Sequence, residues 1–231
     1  MARGQSDSTA QPMVASRHRA QAEDLAQSMI ADNRPTMSAA ADQAGMRLKT
    51  NREQCVYSSL DQMPAEGLKL IGTEPWSGER SLRPISWISV DIQPDRSLRV
   101  MKHTRRGEEE QSSATYVGTD TAQAMAAAQS LEKHLSRDPR TKLQANTVPF
   151  NRLKNTVDFK RELALHLSQY DPDLADKLDA YEEDPEIKAI GAESLQATSA
   201  GDEERRQQLF SRSKQMRDQV IVDHLYSLGI S

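Results

Sequence analysis

Cysteine is almost missing from this sequence of 231 residues, and Cys55 is the only one. A single cysteine excludes a disulfide within the chain and any zinc site built from two or more thiolates. Apolar runs are short as well: none approaches the roughly 20 residues that a membrane-spanning helix needs, and we expect no Sec signal peptide at the N-terminus. Aromatic residues make up only 4%, so we expect a core of Leu, Ile, Val, Met and Ala.

Strong net charge is also absent. The formal net charge is −4, which gives no reason to expect a nucleic acid or an anionic membrane as partner. Charged residues make up 28% and apolar residues 36% of the chain, a polar balance that indicates an unpacked part. Residues 1–16 are polar and lack periodicity, so we expect a disordered tail there or, alternatively, an uncleaved type III secretion signal. Residues 17–231 then form a single domain.

Period-2 alternation is strong in one stretch only, between Ile85 and Met101. It predicts a β-hairpin with Trp87 on the outer face and three apolar residues toward the core, namely Ile88, Val90 and Ile92. The connection Gln93–Arg96 suits a four-residue turn, with proline at its second position. A further strand is predicted at Gly67–Ile71.

The register of this hairpin decides which side chains face each other. If Ile92 pairs with Ser97, then Ser86 lies opposite His103. This places a hydroxyl beside an imidazole, and His103 is therefore the histidine of most interest.

An alanine-rich helix follows the hairpin. Arg105–Gln111 is expected to be a charged connector and Thr115–Val117 a short third strand. Asp120 is a good helix N-cap, with Gln123 three residues on completing a pair similar to a capping box, and Asp138-Pro139 ends the helix.

The rest of the chain is predicted to be helical. Thr156 caps one helix, and Asp171 and Asp184 each cap another, followed by proline at the first helical position. Thr198–Asp202 is expected to be a linker before a long final helix, Glu203–Leu228. The fold class is therefore mixed α/β and helix-rich, with a small central sheet packed by helices.

Candidate chemical groups are sparse. Cys55 is the only possible thiol nucleophile, and a lone cysteine usually serves as a small buried hydrophobe. The five histidines show no metal-ligand spacing, so no metal is expected. They are His18, His103, His134, His166 and His224.

Two basic groups lie on separate predicted helices. One is Lys160-Arg161, and the other is Arg212, Lys214 and Arg217. Basic residues on a helix usually form a solvated face. The alternative is that both groups converge on a polyphosphate.

The order of several segments resembles the YopJ-type effector acetyltransferases, which are bacterial type III secreted proteins with a fold similar to the clan CE cysteine proteases. In that family a His begins a strand that runs into an apolar-x-Asp-apolar segment, and Ser86–Ile92 is similar. The family's next strand ends in an acidic residue, where this chain has Leu98–Lys102. A Cys preceded by an acidic residue then opens an alanine-bearing helix, which Thr119–Ala128 resembles.

Further segments of the family resemble this chain in the same order. A Leu-Pro segment and a later Phe-x-Lys-His helix are similar to Val148-Pro149 and Asp158–Leu163. A Ser-Ile…Lys-Arg helix near the family's end is similar to Phe210–Arg217. Together the pieces span roughly residues 80–222.

The resemblance implies a secreted effector that acts on a protein target in a eukaryotic host cell. It implies acetyl-coenzyme A and inositol hexakisphosphate as ligands, the latter bound by Lys160, Arg161, Lys214 and Arg217. The family's His, acid and Cys positions are taken by Ser86, Lys102 and Thr121, with His103 nearby as a candidate base. Because a thiolate–imidazole pair is what makes the nucleophile work, we expect lost or weakened acetyltransferase chemistry. The alternative is a cytoplasmic, non-enzymatic helical interaction protein, such as a phage or secretion-system component.

Overall fold

An antiparallel meander of four strands forms the centre of the fold. The computed structural model describes residues 52–72 and 82–231. Its strands are β1 (Leu68–Gly72), β2 (Ile85–Ile92), β3 (Leu98–Arg106) and β4 (Glu109–Gly118), each paired with the next. A two-residue strand, β5 (Lys142–Leu143), pairs parallel with the start of β2. The predicted tail at residues 1–16 lies outside the described residues.

Five α-helices follow the meander. They are α1 (Thr121–Arg137), α2 (Thr156–Leu167), α3 (Pro172–Glu183), α4 (Pro185–Ala200) and α5 (Glu203–Ser227), with short 3-10 turns at Arg52–Gln54, Leu60–Gln62 and Phe150–Arg152. The predicted fold class, mixed α/β with a small sheet packed by helices, is confirmed.

Polar caps fix where these helices begin. Asp120 accepts the N–H groups of Ala122 and Gln123 at 2.8 and 3.0 Å, as the sequence predicted. The prediction that Thr156 caps α2 was wrong, because the Oδ1 of Asn155 accepts the Asp158 N–H at 2.8 Å and makes Asn155 the cap. Each cap satisfies a backbone donor that a helix start leaves without a partner.

The core lies between one face of the sheet and the helices. The inner-face residues Ile88, Val90 and Ile92 are fully buried, as predicted. They share one apolar cluster with residues of α1, α2 and α5, including Ala124, Ala128, Leu135, Phe159, Leu163, Leu167, Ile221 and Leu225. The alanines of α1 allow it to pack closely on the strands. The outer face of β2 is buried too, with Trp87 only 2% exposed.

The predicted register of the β2–β3 hairpin was wrong by one residue. Ile92 pairs with Leu98, not with Ser97. The cause is the connection: the Gln93 N–H donates to the Ser97 carbonyl at 2.9 Å, and Arg96 adopts a left-handed φ of 67°. This is a three-residue loop with a residue of positive φ, a common hairpin solution.

The strand predicted at Thr115–Val117 is longer in the structure, where it forms part of β4. Arg105–Gln111 was predicted as a connector, but β3 runs to Arg106 and β4 begins at Glu109. The turn is made at Gly107, whose φ is 63°. Because β4 is the last strand of the described meander and its residues are largely exposed, it carries little apolar alternation.

The last two helices form an antiparallel hairpin. The predicted linker Thr198–Asp202 was too long, since α4 continues to Ala200 and Gly201 ends it with a left-handed φ of 71°. Helix α4 packs chiefly against α5 and α3, and only Ile190 and Ala197 of α4 are buried. We call the part from Pro185 to about Lys214 the helical hairpin.

Candidate functional site

His103 lies on the outer face of the sheet in a chain of polar side chains. Its ring stacks on Trp87, with centroids 5.1 Å apart and planes 9° apart. Its Nε2 lies 2.8 Å from the Ser89 hydroxyl, and its Nδ1 lies 2.7 Å from the Ser112 hydroxyl and 3.7 Å from the Glu110 carboxylate. Three neighbouring strands thus supply a hydroxyl, an imidazole and an acceptor in sequence.

Burial is the main influence on His103. It lowers the pKa of the imidazole, against the opposite pull of the Asp91 and Glu110 carboxylates. A neutral imidazole beside a hydroxyl has the order of nucleophile and base that acyl transfer uses.

The surroundings of Ser89 do not suit that chemistry. Its side chain is almost fully buried, with the residue 1% exposed. In β2 it stands between Gly72 of β1 and Met101 of β3, so the backbone N–H groups here belong to the sheet ladder. A catalytic serine needs free donors for the developing oxyanion. The arrangement fits a cross-strand polar chain that orders the outer face of the sheet.

Ser86 and His103 do not meet. Ser86 pairs with Thr104, and Trp87 pairs with His103. Since neighbouring residues of a strand point to opposite faces, Ser86 lies on the inner face and His103 on the outer one. The Ser86 hydroxyl has two other hydroxyl partners, Thr104 at 3.0 Å and Thr141 at 2.9 Å.

Thr121 lies at the far end of the sheet from Ser86. It follows Gly118, which pairs with Leu98 next to Ile92. Ile92 is six residues along β2 from Ser86, which corresponds to about 20 Å. The Thr121 hydroxyl donates to the main-chain oxygen of Ser231 at 2.6 Å, and the Thr121 N–H donates to the same oxygen at 2.8 Å. The three candidate catalytic positions predicted from the sequence, Ser86, His103 and Thr121, are therefore separate in this structure.

The four basic positions are only partly brought together. Arg161 on α2 makes two hydrogen bonds to Asp218 on α5, at 2.9 and 2.7 Å, and one to Asp158 at 2.9 Å. The hydrogen bond to Asp218 is the main reason why the pKa of Arg161 is raised. Lys214 and Arg217 line a groove with Tyr181 and Phe210.

Lys160 lies apart from these groups. It acts on Asp120, where it is the smallest of several influences that lower the pKa of that carboxyl, the largest being the hydrogen bond from the Gln123 N–H. Lys160 is not among the residues that line the groove with Lys214 and Arg217.

Cys55 has the environment of an unreactive thiol. Its Sγ donates to the Ser168 carbonyl at 3.4 Å. Burial raises the pKa of the thiol, and the charges of Asp171 and Asp176 raise it further. Because the thiolate is the nucleophilic form, this setting works against catalysis.

A buried polar cluster at the contact of α3 and α5 was not predicted from the sequence. His224 and Asp171 are each 3% exposed, and the His224 Nε2 lies 2.8 Å from the Asp171 carboxylate. The His224 Nδ1 lies 3.0 Å from the Lys177 Nζ. Asp171 was identified as a helix cap, but its partner is 53 positions away along the chain and no local motif marks the pair.

The partners of His224 fix its tautomer. A lysine ammonium has only donors, so the Nδ1 accepts a hydrogen bond and the Nε2–H donates to Asp171. Burial by itself raises the pKa of Asp171, but the hydrogen bond from His224, the electrostatic influence of His224 and hydrogen bonds from the N–H groups of Leu174 and Asp173 outweigh it and lower the pKa overall. The cluster borders an open cleft of about 470 Å³. His224 lines this cleft, whose wall has no serine or cysteine as nucleophile.

Metal binding and membrane spanning can both be assessed over the described ranges, 52–72 and 82–231. Within them, no group of three or more His, Cys, Asp or Glu side chains could hold a metal ion. None of the helices in these ranges is long and apolar enough to cross a membrane.

Comparisons with known proteins give no relative: no family model, no curated protein and no solved structure matches this chain.

Proposed function

We propose that this chain is a secreted effector, related in kind to the YopJ-type proteins, that acts by binding a protein of the host cell and not by acetylating it. The observation that carries the proposal is the separation of Ser86, His103 and Thr121. The Ser86 hydroxyl contacts other hydroxyl groups on the inner face of the sheet, and the His103 imidazole lies on the outer face. The Thr121 hydroxyl donates to the main-chain oxygen of Ser231.

The helical hairpin supports a binding role. Its apolar residues Leu195 and Phe210 are 72% and 69% exposed. Contiguous large apolar side chains on a surface mark sites of contact with other proteins, and we propose that Leu195 and Phe210 belong to such a site. Host targets engaged in this way need no reactive group on the effector.

The ligands implied by the resemblance follow from the same contacts. Inositol hexakisphosphate would be held by Lys214 and Arg217, because Arg161 is already bound to two carboxylates and Lys160 does not line the groove that Lys214 and Arg217 share. Acetyl-coenzyme A would find no thiolate to acylate, since Cys55 is kept in its thiol form.

The test is acetyl transfer by the full-length protein. We expect no autoacetylation with labelled acetyl-coenzyme A and inositol hexakisphosphate, because the side chains of Ser86, Thr121 and Cys55 are hydrogen-bonded to hydroxyl or main-chain oxygens and not to an imidazole. Robust labelling that is lost in Thr121→Ala or His103→Ala, and kept in a Thr115→Ala control on the exposed part of β4, would overturn the proposal. Labelling lost only in Cys55→Ala would overturn the correspondence with the family itself.

A second measurement separates the effector from a cytoplasmic phage or secretion-system component. Deleting residues 1–16 should abolish type III export while leaving the melting temperature of the purified protein unchanged. Export that persists without these residues would favour the alternative.

A further inference from the structure

A small, partly open cavity lies where α2, α3 and α5 meet. Its volume is about 80 Å³. Most of its wall is apolar, formed by Ala164, Leu165, Leu178 and Ile221, and its polar lining comes from Arg161, Glu162, Ser168 and Arg217. A mostly apolar cavity with a small number of polar groups in its wall is the usual form of a small-molecule site.

The two arginines of this cavity differ in how well they are satisfied. Arg161 is held by the carboxylates of Asp218 and Asp158. Arg217 has a buried Nε with no hydrogen-bond partner, and none of the described carboxylates forms an ion pair with it. Buried donors are nearly always paired, so the Arg217 Nε is a donor that lacks its acceptor.

From these observations we propose that the cavity binds a short carboxylic acid with an apolar body. The carboxylate would accept hydrogen bonds from the Arg217 guanidinium, whose flat fork matches its two oxygens. The apolar body would lie against the four apolar side chains. At about 10–15 Å³ for each water-sized position, the cavity has room for roughly five to eight non-hydrogen atoms. Hexanoate is a suitable probe, and inositol hexakisphosphate is too large.

Glu162 gives the proposal an internal check. Its carboxylate shares the cavity wall with Arg217 and opposes a bound anion by charge repulsion. Replacing it with glutamine removes that repulsion without changing the shape of the side chain. An acid should gain affinity from this change, whereas an alcohol of the same length should not.

The experiment is calorimetric titration of the full-length protein with hexanoate and, separately, with 1-hexanol. We expect hexanoate to bind more tightly than hexanol, by about tenfold for a charge-assisted pair. Arg217→Gln should remove this advantage, and Arg217→Lys should reduce it because lysine keeps the charge but lacks the fork. Glu162→Gln should strengthen hexanoate binding severalfold.

The matched control is Arg212→Gln, on the same helix, where the arginine is exposed and paired with Glu186. It should leave hexanoate binding within about twofold. The proposal is overturned if acids from propanoate to hexanoate do not bind, if hexanol binds as tightly as hexanoate, or if Arg212→Gln weakens binding as much as the Arg217 variants. Circular dichroism identifies any Arg217 variant that fails to fold, and Glu162→Gln still decides the question in that case.

Discussion

The sheet and the helical hairpin are each stabilised by a different kind of interaction. All eight residues of β2 are buried, and its inner face packs into the apolar cluster shared with α1 and α2. Helix α4 buries only Ile190 and Ala197, and its region is tied instead by exposed ion pairs such as Arg205–Glu193 and Arg212–Glu186. Burial of apolar area contributes far more than exposed ion pairs do. The sheet therefore carries the stability of the fold, and the hairpin presents a surface.

Among the variants that test this comparison, Val90→Asp should lower the free energy of unfolding the most. Val90 is fully buried in β2, and Val90→Asp places an unpaired charge in the core, costing several kcal/mol of unfolding free energy. Urea denaturation measures the loss. The matched control is Val117→Asp on β4, where the side chain is 60% exposed, and its effect should stay within about 0.5 kcal/mol. Equal losses in the two variants would contradict the different roles of β2 and β4.

Breaking the His224–Asp171 pair should lower the free energy of unfolding by an intermediate amount, and this loss should depend on pH. His224→Gln removes the partner of a buried carboxylate and should cost about 3 kcal/mol at pH 7. The pKa of Asp171 in the folded protein lies below its unfolded value of about 3.9. Its contribution is therefore present above that pH and is lost as the pH falls through the folded pKa.

The measurement for this pair is denaturation of wild type and variant from pH 7 to pH 3. The difference between them should shrink below about pH 4 as Asp171 becomes protonated. His134→Gln, at an exposed position in α1, is the control and should change little at any pH. A His224→Gln difference that stays constant down to pH 3 would exclude the carboxylate as its cause.

The smallest effect is expected in the hairpin. Arg212 and Glu186 have side chains that are 61% and 50% exposed, and such pairs contribute about 1 kcal/mol or less. A double-mutant cycle of Arg212→Gln and Glu186→Gln isolates the coupling. The coupling energy should fall toward zero in 1 M salt, where the Debye length is only about 3 Å. A coupling above 2 kcal/mol that resists salt would show that the hairpin is held more firmly than its exposure indicates.

Local signals in the sequence were enough to predict the elements with strong patterns. The alternation of β2 gave its faces correctly, and Asp120, Asp171 and Asp184 each mark a helix start because a carboxylate there satisfies backbone donors. The prediction failed at the start of β4, because its polar residues from Glu109 to Ser113 resemble a loop. An exposed edge strand has no buried face to enforce alternation.

The candidate site was harder to predict because it depends on distant contacts and on register. One residue of positive φ, Arg96, shifted the pairing of β3 and moved His103 from Ser86 to Trp87 and Ser89. A shift by one residue changes the face of every side chain in the strand. The contact of Asp171 with His224 needs α3 and α5 to be packed already, so neither residue carries a local sign of it.

The most direct test of the comparison is native-state hydrogen exchange of the full-length protein, followed by mass spectrometry. Amides of β2 and β3 should exchange only through global unfolding, at the free energy that urea denaturation gives. Amides of α4 and of the first half of α5 should exchange through local opening of much lower free energy, and Val90→Asp should abolish the protection of the sheet. Equal protection of the hairpin and β2 in the wild-type protein would contradict the account.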